Sequence, residues 1–252
     1  MAPAVFYVDP SAEPDAGGIA SITGEEARHA AQVTRLRVGE PVDLVDGCGR
    51  RLEGEVVGVT RDRVDVRIAR TSLEPDPQPR VIVIQALAKG DRGERAVEAM
   101  TEVGVDVIVP WAAERCVTRW VGERAERGVD KWRTTARTAA KQARRARVPD
   151  VERMHSTAEL EPWISGAALA LCLDEAGEYP IAEALVPHRG DVVLVVGPEG
   201  GISESERDRL VGFGARPARL GPSVLRTSTA GPVGAGVILS RTPRWSRPTG
   251  HV

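Results

Sequence analysis

Apolar and polar residues alternate in three runs near the start of the chain: PVDLVD (Pro41–Asp46), RLEGEVVGV (Arg51–Val59) and RVDVRIA (Arg63–Ala69). This period of two predicts strands with one buried face. The runs are separated by DGCGR and TRDR, which carry the residues of tight turns. Upstream, Thr23 and Glu26 match a T-x-x-E capping box, which predicts a helix over about residues 24–36. One helix and several short strands predict a small β-barrel, an architecture that often binds RNA.

The pattern changes after residue 80, where near-continuous apolar runs replace the alternation. Such runs are typical of strands that are buried on both faces. They occur at Val81–Leu87, Val105–Pro110, Ala168–Glu175 and Asp191–Gly197. Amphipathic stretches such as Glu94–Val103 separate them. Strands that alternate with helices predict an α/β domain with a mostly parallel sheet.

The segment SLEPDPQPR, Ser72–Arg80, marks the boundary between the two patterns. Its three prolines donate no backbone hydrogen bonds and favour an extended chain. We therefore expect a β-barrel over residues 1–72, a Pro-rich linker over 73–80, an α/β domain over 81–240 and a solvated extension over 241–252.

Composition limits the classes of protein that fit. The 252 residues are 42% apolar and 28% charged, as in a soluble globular protein, and the net charge of −2 means that binding RNA requires a local basic patch. Cys48, Cys116 and Cys172 are far apart, so we expect no disulfide framework and no metal site. No signal peptide or membrane-spanning run is evident, and we expect a cytoplasmic protein.

The string VVGPEGGIS follows the last long apolar run and precedes a second capping box, Ser203 with Glu206. Its glycines therefore lie in a strand-to-helix turn at the carboxyl edge of the sheet, where ligands bind in open α/β folds. Three glycines around Glu199 favour close approach by a ligand, although a tight turn that needs positive φ is the alternative. The charge of Glu199 beside a helix N-terminus disfavours a pyrophosphate.

The string LGPSVLRTSTAG, Leu220–Gly231, follows the strand-like run Ala215–Leu220. Arg226 stands between apolar residues and three hydroxyl residues, which favours a directed role over a merely solvated arginine. The glycines at 231, 234 and 236 predict a tightly packed C-terminal helix.

The segment Lys131–Arg147 contains seven basic residues and no acidic one, and its composition favours a helix. A solvated face is the alternative, but so concentrated a charge favours contact with a phosphate backbone. Further basic residues flank the helix of the barrel, as expected if RNA lies across both domains. The predicted RNA-binding residues are Arg28, His29, Arg35, Arg37, Arg137, Lys141, Arg144, Arg145 and Arg147.

GPEGG followed by LGPSVLRTSTA resembles the bacterial RsmE family, the 16S rRNA (uracil-N3) methyltransferases of the SPOUT class. The strings HAAQVTRLRVGE, DGCGR, KGDR, EVGVD, ERC and KQARRARVP fall in the family's order, so the resemblance covers nearly the whole chain. It implies a PUA-like RNA-binding β-barrel and an α/β SPOUT domain with a deep trefoil knot. It also implies S-adenosyl-L-methionine as cofactor, a homodimer, and 16S rRNA, in the small ribosomal subunit or its precursor, as partner.

The family's motifs imply roles for residues of this chain. Arg226 matches an arginine near the reacting centre, where we expect it to stabilise the uracil anion, and Glu199 is the weaker candidate for a base. The implied cofactor-binding residues are Leu173, Gly197, Glu199, Gly200, Gly201, Leu220, Gly221, Leu225, Thr227, Thr229 and Ala230. Ser228 stands where the family form has glutamate, so a carboxylate there is not essential in this protein.

The expected function is S-adenosylmethionine-dependent methylation of N3 of a specific uridine in 16S rRNA. Two alternatives are open at this stage. One is a SPOUT methyltransferase that acts on another RNA or on a ribose 2′-oxygen. The other is a non-catalytic rRNA-binding assembly protein, which would bind no S-adenosylmethionine.

Overall fold

The computed structural model describes residues 3–9 and 16–246, and the chain forms two compact units. The N-terminal unit comprises residues up to Asp76 together with Ala140–Val148, and the C-terminal unit comprises Pro77–Ala139 and the chain from Pro149 onward. The first division falls inside the expected linker. The return of Ala140–Val148 to the N-terminal unit differs from the contiguous domains expected from the sequence.

The N-terminal unit contains a five-stranded sheet with the order β1-β3-β4-β5-β2. The strands are β1 (Ala4–Tyr7), β2 (Ile19–Thr23), β3 (Pro41–Val45), β4 (Arg50–Val59) and β5 (Arg63–Leu73). β1 pairs with β3 in parallel, and the other pairs are antiparallel. The three alternating runs are β3, β4 and β5. The pattern missed β1 and β2 because neither AVFY nor IASIT strictly alternates apolar with polar residues.

Helix α1 (Gly24–Arg28) continues as one π-helical stretch, His29–Thr34, and ends at Arg35, whose φ is +57°. The predicted extent is close to this, but the predicted capping box is wrong, since the Thr23 side chain makes no capping bond. The carboxylate of Glu26 instead accepts hydrogen bonds from Lys141 Nζ, at 2.7 Å, and from the backbone N–H of Tyr7, at 3.4 Å. The side chain of Glu26, which the local motif predicted to cap the helix, therefore pairs with Lys141, a residue that is distant in the sequence.

Apolar residues cover both faces of β1. Phe6 packs into the main core of the unit with Ile22 of β2 and Leu44 of β3. The alternate residues Val5 and Tyr7 pack on the other face in a second cluster that contains Val45 and Ala146. The segment Ala140–Val148 therefore supplies part of the core of the N-terminal unit.

The C-terminal unit contains a seven-stranded sheet with the order β10-β12-β9-β11-β6-β7-β8, in which each recorded pair is parallel. The strands are β6 (Arg80–Ala86), β7 (Val107–Trp111), β8 (Asp150–Val151), β9 (Leu169–Leu173), β10 (Tyr179–Pro180), β11 (Asp191–Val196) and β12 (Arg216–Arg219). β6, β7, β9 and β11 correspond to the four apolar runs. The expectation of an α/β domain with a parallel sheet is confirmed.

Helices follow most of these strands. They are α2 (Arg92–Val103), α3 (Glu123–Gln142), α4 (Glu161–Ser165), α5 (Glu204–Gly212), α6 (Thr227–Leu239) and α7 (Pro243–Ser246). The capping bond predicted for α5 is present, because Ser203 Oγ accepts from the Glu206 N–H at 3.3 Å. The predicted tight packing of the C-terminal helix is confirmed, because a Cβ at Gly231 would lie 3.0 Å from Met100 Sδ.

The start of the expected solvated extension is packed against the C-terminal unit. The Arg244 guanidinium donates to both carboxylate oxygens of Asp106, at 2.6 and 2.9 Å, and to the carbonyl oxygens of Pro79 and Gly104. Thr242 is buried. Residues 241–246 are therefore an integral part of the unit, contrary to expectation, and residues 247–252 lie outside the described residues.

Candidate functional site

A cavity of about 630 Å³ lies in the C-terminal unit, at the carboxyl ends of β9, β11 and β12. It is lined by the GPEGG loop, by the loop that precedes α6 and by residues after β9. Ten of the eleven predicted cofactor-binding residues line it: Leu173, Gly197, Glu199, Gly200, Gly201, Leu220, Gly221, Leu225, Thr227 and Ala230. The eleventh, Thr229, is not among the lining residues, and its hydroxyl donates to the carbonyl oxygen of Arg226 at 3.0 Å. The structure thus brings the two loops together at one cavity.

Close contacts and backbone geometry within the protein account for the three glycines of the first loop. A Cβ at Gly197 would lie 2.7 Å from Ile202 Cγ1, and one at Gly200 would lie 3.1 Å from Arg115 Cβ and 3.2 Å from its carbonyl oxygen. Gly201 has φ +72°, which other residues rarely adopt. The tight-turn alternative therefore accounts for Gly201, and internal packing accounts for the other two.

The second loop places Arg226 at the N-cap of α6, in extended backbone geometry. Its carbonyl oxygen accepts from the N–H groups of Thr229 and Ala230, each at 2.9 Å. The side chain is exposed and lines the cavity. Among residues 3–9 and 16–246, no carboxylate pairs with its guanidinium, so this charge is available to a ligand.

A buried hydrogen-bond chain joins the two loops. Thr227 Oγ1 donates to the carbonyl oxygen of Gly197 at 2.7 Å and accepts from Gln85 Nε2 at 3.1 Å. Gln85 is fully buried at the end of β6, and its Nε2 also lies within hydrogen-bonding distance of the carbonyl oxygens of Ala86 and Thr227. Gln85 was not predicted as a site residue, although a polar residue in the buried run VIVIQAL is a detectable signal.

Glu199 is held as an anion at the rim of the cavity. Its Oε1 accepts from Arg92 Nη1 at 3.0 Å and from the Lys89 N–H at 3.1 Å. Partial burial raises the pKa of the carboxyl, but the hydrogen bonds from the Lys89 and Glu199 N–H groups and from Arg92 outweigh it and bring the pKa below its ordinary value. A carboxylate with a lowered pKa is a weak proton acceptor at neutral pH. The geometry therefore favours an electrostatic role for Glu199 over that of a base.

Further charged residues that the sequence analysis missed line the same cavity. Arg207 Nε donates to Asp174 Oδ2 at 2.5 Å, and the Asp174 side chain is only 8% exposed. In total five arginines and three carboxylates are among the lining residues: Arg92, Arg115, Arg207, Arg219, Arg226, Asp174, Glu175 and Glu199. The cavity therefore has a surplus of positive charge, which suits an anionic substrate, beside three carboxylates that suit the positively charged groups of a ligand.

The predicted RNA-binding residues divide into two groups. Arg137 belongs to the C-terminal unit, and the other eight belong to the N-terminal unit. Two of the eight make structural contacts there: Lys141 pairs with Glu26 at 2.7 Å and lies over the Phe6 ring, and Arg147 pairs with Asp76 at 3.0 Å. Exposed members of the set are Arg28, Arg35, Arg37, Arg137 and Arg144.

The described part of the chain contains no group of three or more His, Cys, Asp or Glu side chains arranged to hold a metal ion. None of its helices is both long enough and apolar enough to cross a membrane.

Two protein families match this chain. The RNA methyltransferase domain matches residues 74–239, and the RNA methyltransferase PUA domain matches residues 22–69. The chain is 42% identical over 250 residues to the ribosomal RNA small subunit methyltransferase E of Mycobacterium bovis, which covers 97% of this chain and 94% of that protein. The protein of the same name from Bacillus subtilis is 31% identical over 218 residues, covering 83% and 85%.

Solved structures agree with these matches. A Legionella pneumophila protein in complex with S-adenosylmethionine aligns with a TM-score of 0.83 at 27% identity, covering 96% of this chain and 99% of that chain. The ribosomal RNA small subunit methyltransferase E of Neisseria gonorrhoeae, bound to S-adenosylmethionine, aligns with a TM-score of 0.84 at 24% identity, covering 95% and 98%. At that identity the second likeness shows the fold alone.

A parallel α/β unit with a cavity at the carboxyl edge of its sheet, in a chain with a PUA domain, defines an RNA methyltransferase architecture. The chain belongs to the RNA methyltransferase family that includes the ribosomal RNA small subunit methyltransferase E proteins. The resemblance seen in the sequence is confirmed.

Proposed function

We propose that this protein methylates N3 of a specific uridine in 16S rRNA and uses S-adenosylmethionine as the methyl donor. The observation that carries the proposal is the exposed guanidinium of Arg226, without a carboxylate partner in the described residues, at the rim of a cavity built from the GPEGG and LGPSVLRTST loops. The names of the relatives support a small-subunit rRNA substrate.

The residues of the cavity fit S-adenosylmethionine. A volume of about 630 Å³ lies within the range of small-molecule sites. Leu173, Leu220 and Leu225 offer apolar contacts for an adenine ring, and Asp174 and Glu199 offer carboxylates to the positively charged groups of the cofactor. When bound, S-adenosylmethionine supplies an activated methyl group on a sulfonium.

The residues of the chain contribute orientation and charge. Uracil N3 carries a proton that must leave before or during attack, and the resulting anion requires stabilisation. Arg226 supplies a permanent positive charge for that anion. Glu199, already engaged by Arg92 and the Lys89 N–H, remains ionised and balances positive charge in the cavity, while solvent takes the proton.

The finer architecture is part of the same proposal. A PUA-like barrel is supported because Phe6 of β1 and Ile22 of β2, the end strands of the sheet order, share one core cluster. The proposal includes a SPOUT domain with a deep trefoil knot and a homodimer, which the family resemblance implies. Apolar Val224 and Val233 are exposed beside the cavity and on α6, which supports a partner surface there. Action on a ribosomal substrate implies a cytoplasmic location. Sedimentation velocity tests the dimer directly.

Nucleoside analysis tests the reaction. The purified protein is incubated with S-adenosylmethionine and either 16S rRNA or small ribosomal subunits, and the RNA is digested and examined by mass spectrometry. We expect N3-methyluridine at one position. A ribose-methylated product would contradict the proposed atom. Calorimetry that detects no binding of S-adenosylmethionine would instead favour the assembly protein.

A further inference from the structure

Residues 112–119, which we name the Arg115 loop, follow β7 and form another wall of the cavity through Arg115. The loop is fastened at several points. Thr118 Oγ1 donates to the Ala88 carbonyl oxygen at 2.8 Å, and Arg119 Nη2 donates to the Glu114 carbonyl oxygen at 3.0 Å. The Cys116 N–H donates to the Ala113 carbonyl oxygen at 3.1 Å. The loop is therefore held by its own hydrogen bonds before any ligand binds.

A buried carboxylate anchors this loop. Glu206, in the first turn of α5, is 5% exposed, and its Oε1 accepts from the Glu114 N–H at 2.9 Å and from Thr157 Oγ1 at 2.8 Å. Trp111 Nε1 in turn lies 3.1 Å from the same Thr157 hydroxyl oxygen. A buried carboxylate requires such partners, so the residue next to Arg115 has a fixed position.

Arg115 extends from this anchored backbone across the GPEGG loop. Its Nη1 donates to the carbonyl oxygen of Gly200 at 3.2 Å, and its own backbone lies so close to Gly200 that a Cβ there would be 3.2 Å from the Arg115 carbonyl oxygen. The side chain is exposed and lines the cavity. Unlike Arg92 and Arg207, it has no carboxylate partner in residues 3–9 and 16–246.

We propose that Arg115 binds a backbone phosphate of the RNA next to the modified nucleotide. The inference rests on the proposed function, since it requires an RNA substrate at this cavity. A guanidinium has five donors in a planar fork, which match phosphate oxygens, and a carbonyl oxygen occupies one of them here. Its exposure at the outer turn of the GPEGG loop suits a polymer that approaches from solvent. The carboxylate of S-adenosylmethionine is the competing anion.

The test compares Arg115→Ala with Arg124→Ala, because both arginines are exposed, only Arg115 lines the cavity, and Arg124 makes none of the hydrogen bonds that hold the Arg115 loop. Affinity for a 16S rRNA transcript is measured by filter binding between about 50 and 200 mM salt. Loss of one phosphate contact is expected to weaken binding about tenfold at low salt and to reduce the slope of log K against log salt by about 0.7 to 0.9. Arg124→Ala is expected to keep the wild-type slope.

Calorimetry with S-adenosylmethionine separates the two anions. We expect Arg115→Ala to bind the cofactor with an affinity within about twofold of wild type, and Arg115→Lys to keep most of the salt slope because it keeps the charge. An unchanged slope in Arg115→Ala overturns the inference. So does weakened cofactor binding with unchanged RNA binding, which would assign Arg115 to the cofactor carboxylate. If wild type forms no N3-methyluridine but the slope depends on Arg115, the proposed reaction fails and the phosphate contact stands.

Discussion

The hydroxyl of Thr227 donates a hydrogen bond to the carbonyl oxygen of Gly197, 2.7 Å away. One residue belongs to each of the two loops that line the cavity, so this bond sets their separation. Gln85 donates to the same hydroxyl from the end of β6. Gly197, Thr227 and Gln85 therefore form a hydrogen-bonded connection between the two loops, which we name the brace. It is present without a ligand.

Replacing Thr227 tests this brace. Thr227→Val keeps the shape of the side chain but removes the hydroxyl that donates to the Gly197 carbonyl and one of the three acceptors of the Gln85 amide, which is expected to cost about 1 to 3 kcal/mol in the free energy of unfolding. Affinity for S-adenosylmethionine is expected to fall with it. Thr227→Ser keeps the hydroxyl and is the matched control. Urea unfolding and calorimetry measure the two effects, and equal cofactor affinity in the two variants would contradict the role of the brace.

Arg226→Ala tests the stabilisation of the uracil anion. We expect kcat for methylation of 16S rRNA to fall by at least about 100-fold, because a charged donor aimed at a developing anion is lost. Binding of S-adenosylmethionine is expected to remain within about twofold of wild type by calorimetry. Arg226→Lys keeps the charge without the fork and should retain part of the activity. Normal turnover in the alanine variant would remove Arg226 from the mechanism.

Glu199 predicts a specific dependence on pH. Its pKa in the folded protein lies below the ordinary value of 4.5, so its stabilising contribution is full above about pH 4.5 and is lost as the pH falls through the lowered pKa. The difference in unfolding free energy between wild type and Glu199→Gln is therefore expected to be constant near neutrality and to shrink on acidification. The shape of the activity profile above about pH 6 is expected to be the same in both. A loss of activity on the acidic side of the wild-type profile, above about pH 6, that is absent from the profile of Glu199→Gln would show that Glu199 is the base after all.

Replacement by alanine is expected to have different effects at two glycines of the cavity, Gly200 and Gly221. A Cβ at Gly200 would meet Arg115 at 3.1 Å, so Gly200→Ala is expected to destabilise the protein by about 1 to 3 kcal/mol and to displace the Arg115 loop. A Cβ at Gly221 meets no protein atom within 4 Å, so Gly221→Ala is expected to keep the melting temperature. Because Gly221 lines the cavity, we expect that variant to bind S-adenosylmethionine less tightly. Thermal melting and calorimetry distinguish the two cases, and a melting temperature lowered equally in both would contradict this assignment.

Arg244 predicts that the C-terminal segment contributes to stability. Arg244→Ala removes a bidentate partner from Asp106, whose side chain is 7% exposed, and is expected to cost about 3 kcal/mol in the free energy of unfolding. Arg241→Ala is the control, since that guanidinium donates to the carbonyl oxygen of Ala182 rather than to an acid. Urea unfolding measures both. An Arg244→Ala variant as stable as Arg241→Ala would show that the ion pair contributes little.

Local signals predicted much of this structure. The strands with a period of two or a continuous apolar run were found because each carries its own pattern, and Ser203 was found as a cap because its partner is three residues away. Contacts between distant segments carry no such pattern, which is why the pairing of Lys141 with Glu26 and of Arg147 with Asp76 was not predicted.

The candidate site shows the same limit. Motifs predicted ten of the residues that line the cavity. Asp174, which is next to the predicted Leu173, and Arg207 and Arg115 were not predicted. The glycines of GPEGG line the cavity, as predicted, but close approach by a ligand is an incomplete reason for them. Their close contacts are with Ile202 and Arg115, which no spacing along the sequence could reveal.

The segment Ala140–Val148 has a consequence for how the protein is made. It contributes Ala146 to the apolar cluster with Val5 and Tyr7, and Lys141 to Glu26. During synthesis the N-terminal unit therefore cannot complete its packing until residue 148 has left the ribosome, by which point two strands of the second unit, β6 and β7, have already emerged. A gene fragment that ends at Asp76 would encode the N-terminal unit without the segment that completes its core. Recombination therefore cannot transfer this unit to another protein as one contiguous piece of sequence that ends at Asp76.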